Sequence, residues 1–375
     1  MSLADGLAPP NEGFPVGYPA ILAALVRTGL GSSFFIVLAN CVFLGVGLRA
    51  FWYFTQGRPD IDRQCAVLLT MLAIPVIRSI AMPLAEPAYF GLSLLALASM
   101  TAAIGPRRPR QALHLLLAAA LIALAVSVRL VGVALIPALI LSCFLFARER
   151  VAAHPSRRLI LLAVAGSVVL TIGVCVGVAG KVAMLEYVRV ATERYSAGAL
   201  VGHVASRLQF TMLGLGELAV NLPTTRFFFL MPYLPWLGAA FAPPLVVGLR
   251  EKLQLTPIKV YVASYVAILI VWPHYSTRLW MPILPLLLFH AVVTVRAFVK
   301  GPTSLWLVRA YLAFFTLGGI AALAYTTRIS LSGDRFPTVY GKAGGMVTPG
   351  YEAENPRYNA DAVEIFRRFD SRHKH

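Results

Sequence analysis

Residues 111–150 read QALHLLLAAALIALAVSVRLVGVALIPALILSCFLFARER. Between His114 and Arg148 the only charge is Arg129. One straight helix over 112–147, at ~1.5 Å per residue, would far outrun the ~30 Å hydrocarbon core of a bilayer. The flanking stretches GPRRPR (105–110) and ARERVAAHPSRR (147–158) are both strongly basic. Short basic loops remain on the cytoplasmic side. Both ends of the stretch therefore lie on one side of the membrane. That requires two crossings, 112–128 and 130–147, with a tight outer turn near Arg129 and Gly132.

The same accounting extends along the chain. Ten apolar stretches approach the ~20 residues that a spanning helix needs: 33–55, 64–82, 84–104, 112–128, 130–147, 158–179, 227–248, 258–273, 278–298 and 303–326. Loops around 49–63, 105–111, 147–158, 249–259 and 296–309 hold 16 of the 33 Lys and Arg, whereas the short loops on the other side hold one each, Arg78, Arg129 and Arg278. The fold expected is all-α, a polytopic transmembrane bundle of about ten helices. Residues 1–326 form the membrane domain and 327–375 an outer extension. This topology places the N-terminus outside. About 32 residues without a signal peptide are an odd segment to translocate, so a first transmembrane helix is expected upstream of Met1.

Composition agrees. The chain is 58% hydrophobic and 13% charged, against roughly 25% charged residues in soluble domains. Mean hydropathy is +0.75. The formal charge of +17 sits in short clusters between apolar runs, which is how membrane topology is set. It is not read as a nucleic-acid surface. Cys41, Cys65, Cys143 and Cys175 lie in or beside apolar runs without metal-ligand spacing, and are read as small core residues.

Two long outer segments stand apart. In 180–226, Met184, Tyr187, Val188, Ala191 and Tyr195 recur at helical spacing opposite Glu186, Arg189 and Glu193. That pattern is an amphipathic helix, lying on the membrane surface or packed within an outer loop. In the tail, Asp361 and Glu364 are spaced as a capping box for a last helix through Phe366 and Phe369.

Three short outer turns carry the chemistry. They are RSIAMPLAEP (78–87), SVRLVG (127–132) and WPHYSTRLWMPILP (272–285). An ionised side chain at the bilayer centre costs at least ~2.5–3.5 kcal/mol. At helix ends long side chains snorkel to water, so each arginine has a plain alternative as an anchor. Glu86 has one as a first-turn acid, and His274 as a turn residue. Together, three arginines, a histidine and a glutamate on one face suit a phosphate, which the planar, always charged guanidinium binds with two hydrogen bonds.

These turns resemble the GT-C superfamily of integral-membrane glycosyltransferases, particularly bacterial relatives of the dolichyl-phosphate-mannose protein mannosyltransferases (glycosyltransferase family 39-like). The matching stretches are Ser2–Gly6 (SLADG), Phe14–Pro19 (FPVGYP), Ala85-Glu86-Pro87, Arg129–Gly132 (RLVG) and Arg278–Pro285 (RLWMPILP), in the family's order over about residues 1–300. Val16 replaces one residue of the family's Pro-Pro-Gly-Tyr-Pro-like turn. The family's essential acid falls upstream of this chain, and Asp5 sits within the small-residue stretch rather than at the acid's place. The resemblance implies sugar transfer from a polyprenyl-phosphate-linked donor to a lipid, glycan or protein acceptor, on the outer, periplasmic face of the cytoplasmic membrane. In that scheme a carboxylate takes the acceptor's proton: the upstream acid, or Glu12, Asp5 or Glu86 in its stead. Arg278 and His274, then Arg129 and Arg78, hold the donor phosphate. Tyr275 and Trp272 stack on sugar or sit at the interface. No protein cofactor or metal site is legible, and a divalent ion on the phosphate stays open. Two other readings stay open as well: a transporter or flippase for a lipid-linked sugar, and an inactive relative.

Overall fold

The computed structural model describes residues 15, 17–82, 84–105, 111–151, four residues between 165 and 173, and 197–222, 228–250, 256–271, 277–299 and 301–330. The described chain is helical, with no strand among the described residues. In order, the helices are α1 (Gly17–Arg27), α2 (Ser33–Phe54), α3 (Asp60–Leu72), α4 (Ile74–Ile80), α5 (Ala85–Ile104), α6 (Gln111–Val128), α7 (Leu135–Val151), α8 (Ala197–Val220), α9 (Leu234–Arg250), α10 (Pro257–Val271), α11 (Leu284–Phe298) and α12 (Pro302–Ser330). Short 3₁₀ turns over Leu130–Ala134 and Thr277–Ile283 lead directly into α7 and α11.

Six helical stretches are long and apolar enough to cross a membrane: Phe34–Phe54, Ala85–Ile104, Gln111–Val128, Leu130–Arg148, Thr277–Phe298 and Leu305–Arg328. The bent pair α3–α4 makes a seventh if counted as one span. The chain is a multi-pass membrane protein. The expected ten is not reached among the described residues. Most of 158–179 lies outside them, as do the amphipathic pattern at 184–195 and the tail beyond 330. The stretch at 227–248 yields α9, of 17 residues, and that at 258–273 yields α10, of 15. Pro257 opens α10 at the first helical position, where its missing N–H costs nothing.

The two helices inferred from 112–147 are present, each long and apolar enough to cross a membrane. α6 ends at Val128, Arg129 is extended (φ −157°, ψ 124°), and the chain turns back through Leu130–Ala134. The turn is tight enough that a Cβ on Gly132 would lie 2.8 Å from the Val126 nitrogen. By contrast, 64–82 is not one continuous helix. It breaks at Ala73 with a 58° bend, because Pro75 lacks an N–H and its ring clashes with a preceding turn. The freed backbone groups are met by a distant side chain. Asn221 accepts from the Ile74 N–H (2.9 Å) and donates to the Leu72 and Phe315 carbonyls (3.0 and 3.1 Å). Broken helices persist at membrane depth only where such partners exist.

α5 sits at the centre, with 78% of its span buried, and α12 at the periphery, with 11%. Exposed Leu305, Trp306, Phe314, Leu317 and Ile320 on α12 fit a lipid-facing surface. With lipid as solvent, helices associate by close packing rather than by apolar burial. α8 runs antiparallel along α9, with Gly216 and Gly238 at the crossing, where a Cβ on Gly238 would overlap the Met212 carbonyl oxygen. Gly238→Ala is therefore expected to lower stability by ~1–3 kcal/mol, read as a lower melting temperature in detergent. Gly202→Ala, where a Cβ meets nothing within 4 Å, is the control. Equal melting of the two variants would remove the packing argument.

The ends of the bundle differ. At one end Arg63 stacks on the Trp52 ring (4.1 Å to its centroid) and pairs with Asp60, while buried Asp62 accepts from Arg296 on α11 (3.1 Å). The other end gathers the turns singled out above.

Candidate functional site

Three elements meet at that second end: the first turn of α5, the α6–α7 turn and the 3₁₀ turn before α11. They bring together Glu86, Arg129 and Arg278. One carboxylate oxygen, Glu86 Oε1, lies 2.6 Å from Arg129 Nη1 and 3.2 Å from Arg278 Nε. Glu86 is 2% exposed. The side chains of Arg129 and Arg278 are 17% and 33% exposed. Two guanidinium groups on one carboxylate leave a net positive charge. Its most accessible member is Arg278. A buried charge is tolerated when paired, and here a single acid anchors two cations from separate turns.

The surroundings fix this geometry. Tyr89, Tyr261 and Tyr265 are fully buried. Tyr89 stacks on Tyr265 (6.3 Å between centroids), its hydroxyl is 3.2 Å from that of Tyr261, and it reaches the Val131 carbonyl at 3.4 Å. Tyr265 donates to the Leu279 carbonyl at 2.7 Å. Thr277 donates to the Glu217 carboxylate on α8. α1 closes the side of the site. A Cβ on Gly17 would lie 2.6 Å from the Ser127 backbone, so the helix start packs directly on the end of α6. The next residue, Tyr18, is buried within electrostatic reach of Glu86. Asn40 on α2 donates to the carbonyls of Ile80 (3.0 Å) and Met82 (2.8 Å), tying down the end of α4.

Of the residues singled out from sequence, Glu86, Arg129 and Arg278 are brought into contact. Arg78 is exposed on the last turn of α4 and makes no ion pair with this cluster among the described residues. Asp5, Glu12, Trp272, His274 and Tyr275 lie outside the described residues. Sequence reasoning missed Glu217, Tyr89, Tyr265 and Asn40. Glu217 carried a usable signal, being the only acid in the 24 residues of α8. An ionisable residue within an apolar helix is a functional hypothesis by default, but the sequence pattern alone places 180–226 in an outer segment. The tyrosines carry none, since buried aromatics are ordinary core residues.

Among the described residues no group of three His, Cys, Asp or Glu is placed to hold a metal ion. The donor set at the cluster does not fit a divalent cation, because Glu86 Oε1 is already shared by two guanidinium groups. No protein-family model, curated protein or solved structure matches the chain.

Proposed function

We propose that this protein transfers a sugar from a polyprenyl-phosphate-linked donor to an acceptor at the outer face of the cytoplasmic membrane. The observation that carries the reading is the pair of guanidinium groups held on one buried carboxylate, at the bundle end that the positive-inside rule places outside. In such a transfer the acceptor oxygen attacks the anomeric carbon. The bond to the donor phosphate breaks, and its electron pair stays on the leaving polyprenyl phosphate. Fixed cations stabilise that growing charge without reorganising. Arg278, the more exposed, contacts the phosphate, with Arg129 behind it. Arg78 and His274 are secondary. Glu86 orients both arginines. With Oε1 so engaged, Glu86 is a poor proton acceptor. The base is then Asp5 or Glu12. Tyr275 and Trp272 flank the sugar. A lipid, a glycan or a protein can each supply the attacking hydroxyl.

One observation favours a second reading, transport of a lipid-linked sugar. Broken helices are common in transporters, and α3–α4 is one. The test is donor consumption in proteoliposomes made with a total bacterial membrane extract, which supplies both polyprenyl-phosphate sugars and acceptor hydroxyls. Release of free polyprenyl phosphate is measured for wild type and Arg278→Ala. A charge-assisted hydrogen bond is worth ~1.5–3 kcal/mol, so the variant should lose about 10–100-fold. Undiminished turnover would sink the role of Arg278. Vesicle uptake without release of polyprenyl phosphate would favour the transporter.

A further inference from the structure

Three consecutive residues of the turn before α11 are fastened to three different helices. Thr277 donates to Glu217 on α8, Arg278 pairs with Glu86 on α5, and the Leu279 carbonyl accepts from Tyr265 on α10. We infer that Glu217 and Tyr265 are positioning residues, which hold the backbone on either side of Arg278 so that its guanidinium is aimed at an anionic headgroup. The identity of that headgroup, a polyprenyl phosphate, rests on the function proposed above. The mount itself rests on the contacts.

The physical need for it begins with Pro282. In a 3₁₀ turn the carbonyl of residue i bonds the N–H of residue i+3. For Leu279 that position is Pro282, which has no N–H. The Leu279 carbonyl therefore lacks the 3₁₀ bond that its turn would otherwise supply. Leu279 is 7% exposed, and in a membrane such a group requires a donor from elsewhere. Tyr265, fully buried, supplies it at 2.7 Å. Without that hydroxyl, the carbonyl loses its buried side-chain donor. Thr277 is the other fixed point. It begins the turn directly after residues 272–276, and its hydroxyl is held by the last turn of α8.

Arg278 needs such a mount because of its side chain. A guanidinium carries ~2 kcal/mol of rotamer entropy, and Arg278 is a third exposed. Glu86 fixes one face of it, but a salt bridge alone tolerates sliding. Fixing the backbone on both sides removes that freedom before a ligand arrives, and preorganisation of this kind raises affinity without adding a contact. Arg129 has a related support. Tyr89, stacked on Tyr265, reaches the Val131 carbonyl two residues after Arg129. The tyrosine pair thus underlies both arginine-bearing turns.

The experiment uses the full chain in phosphatidylcholine nanodiscs, with polyprenyl monophosphate as the probe. A 1 Å misplacement can cost as much as about 100-fold, and loss of one supporting bond should weaken binding by about tenfold in Tyr265→Phe and in Thr277→Val. Glu217→Ala should weaken it similarly. Glu217→Gln, which retains an oxygen to accept the Thr277 hydroxyl, should recover most of that loss. In an Arg278→Ala background none of these changes should weaken binding further, because all act through Arg278. A Tyr265→Phe effect that persists undiminished in that background overturns the assignment. Loss in Glu217→Gln equal to that in Glu217→Ala overturns the positioning role of Glu217 and makes its charge the cause. If wild type binds no polyprenyl monophosphate, the transferase reading fails, and amide hydrogen exchange over residues 277–283 judges the mount alone. Faster exchange there in Tyr265→Phe supports it, and unchanged exchange overturns it.

Discussion

Glu86→Gln is expected to cost stability and donor binding together. The wild-type carboxylate is 2% exposed and neutralises Arg129 at 2.6 Å and Arg278 at 3.2 Å. The amide keeps the volume but removes the charge, and two cations then face each other around a neutral group. Breaking a buried ion pair by removing one partner costs ~3–5 kcal/mol. The fall should be visible as a lower melting temperature in detergent. Donor binding should fall with it, since both guanidinium groups lose the negative charge that holds them in place. A second substitution separates the two effects. In Glu86→Gln/Arg129→Met the most buried unpaired cation is gone, so most of the stability should return while donor binding does not. Glu86→Gln within ~1 kcal/mol of wild type, the range of exposed salt bridges, would mean that water fills the cluster and the three groups are not a unit.

Asn221→Ala should be of similar size, for a different reason. The Asn221 side chain is 1% exposed and serves the Ile74 N–H and the Leu72 and Phe315 carbonyls. Each buried polar group left unsatisfied costs ~1–3 kcal/mol. The residue also has φ 49°, left-handed backbone in which a Cβ other than that of Asn or Asp costs ~1–2 kcal/mol. Asn221→Gly divides these contributions, because glycine accepts the backbone but has no amide. Both variants should melt well below wild type, the alanine lowest. A glycine variant as stable as wild type would show that the conformation alone mattered and that the α3–α4 break holds itself. Loosening should be local as well. Amide exchange at residues 72–77 should accelerate more than exchange in α5, where none of the Asn221 side-chain hydrogen bonds falls.

What could be read from the chain alone was whatever short-range chemistry decides. The double crossing at 112–147 follows from one charge, two basic flanks and the thickness of a bilayer. The grouping of Glu86, Arg129 and Arg278 at one end follows from alternation, because each lies in a short turn between apolar runs whose other ends are basic. Tertiary structure decided the rest. That α3 and α4 break rather than run straight depends on Asn221, some 150 residues away, offering the hydrogen bonds that Pro75 disrupts. That Glu86 serves two arginines through one oxygen is set by how three separate turns converge. Glu217 and Tyr265 gain meaning only because α8 and α10 deliver them to residues 277 and 279. Apolar periodicity says which residues leave water, but in a membrane every helix is apolar, so it cannot say which helices touch. Contact is chosen there by close backbone approach, as at Gly216 and Gly238, and by pairing of the few polar groups that lipid cannot satisfy.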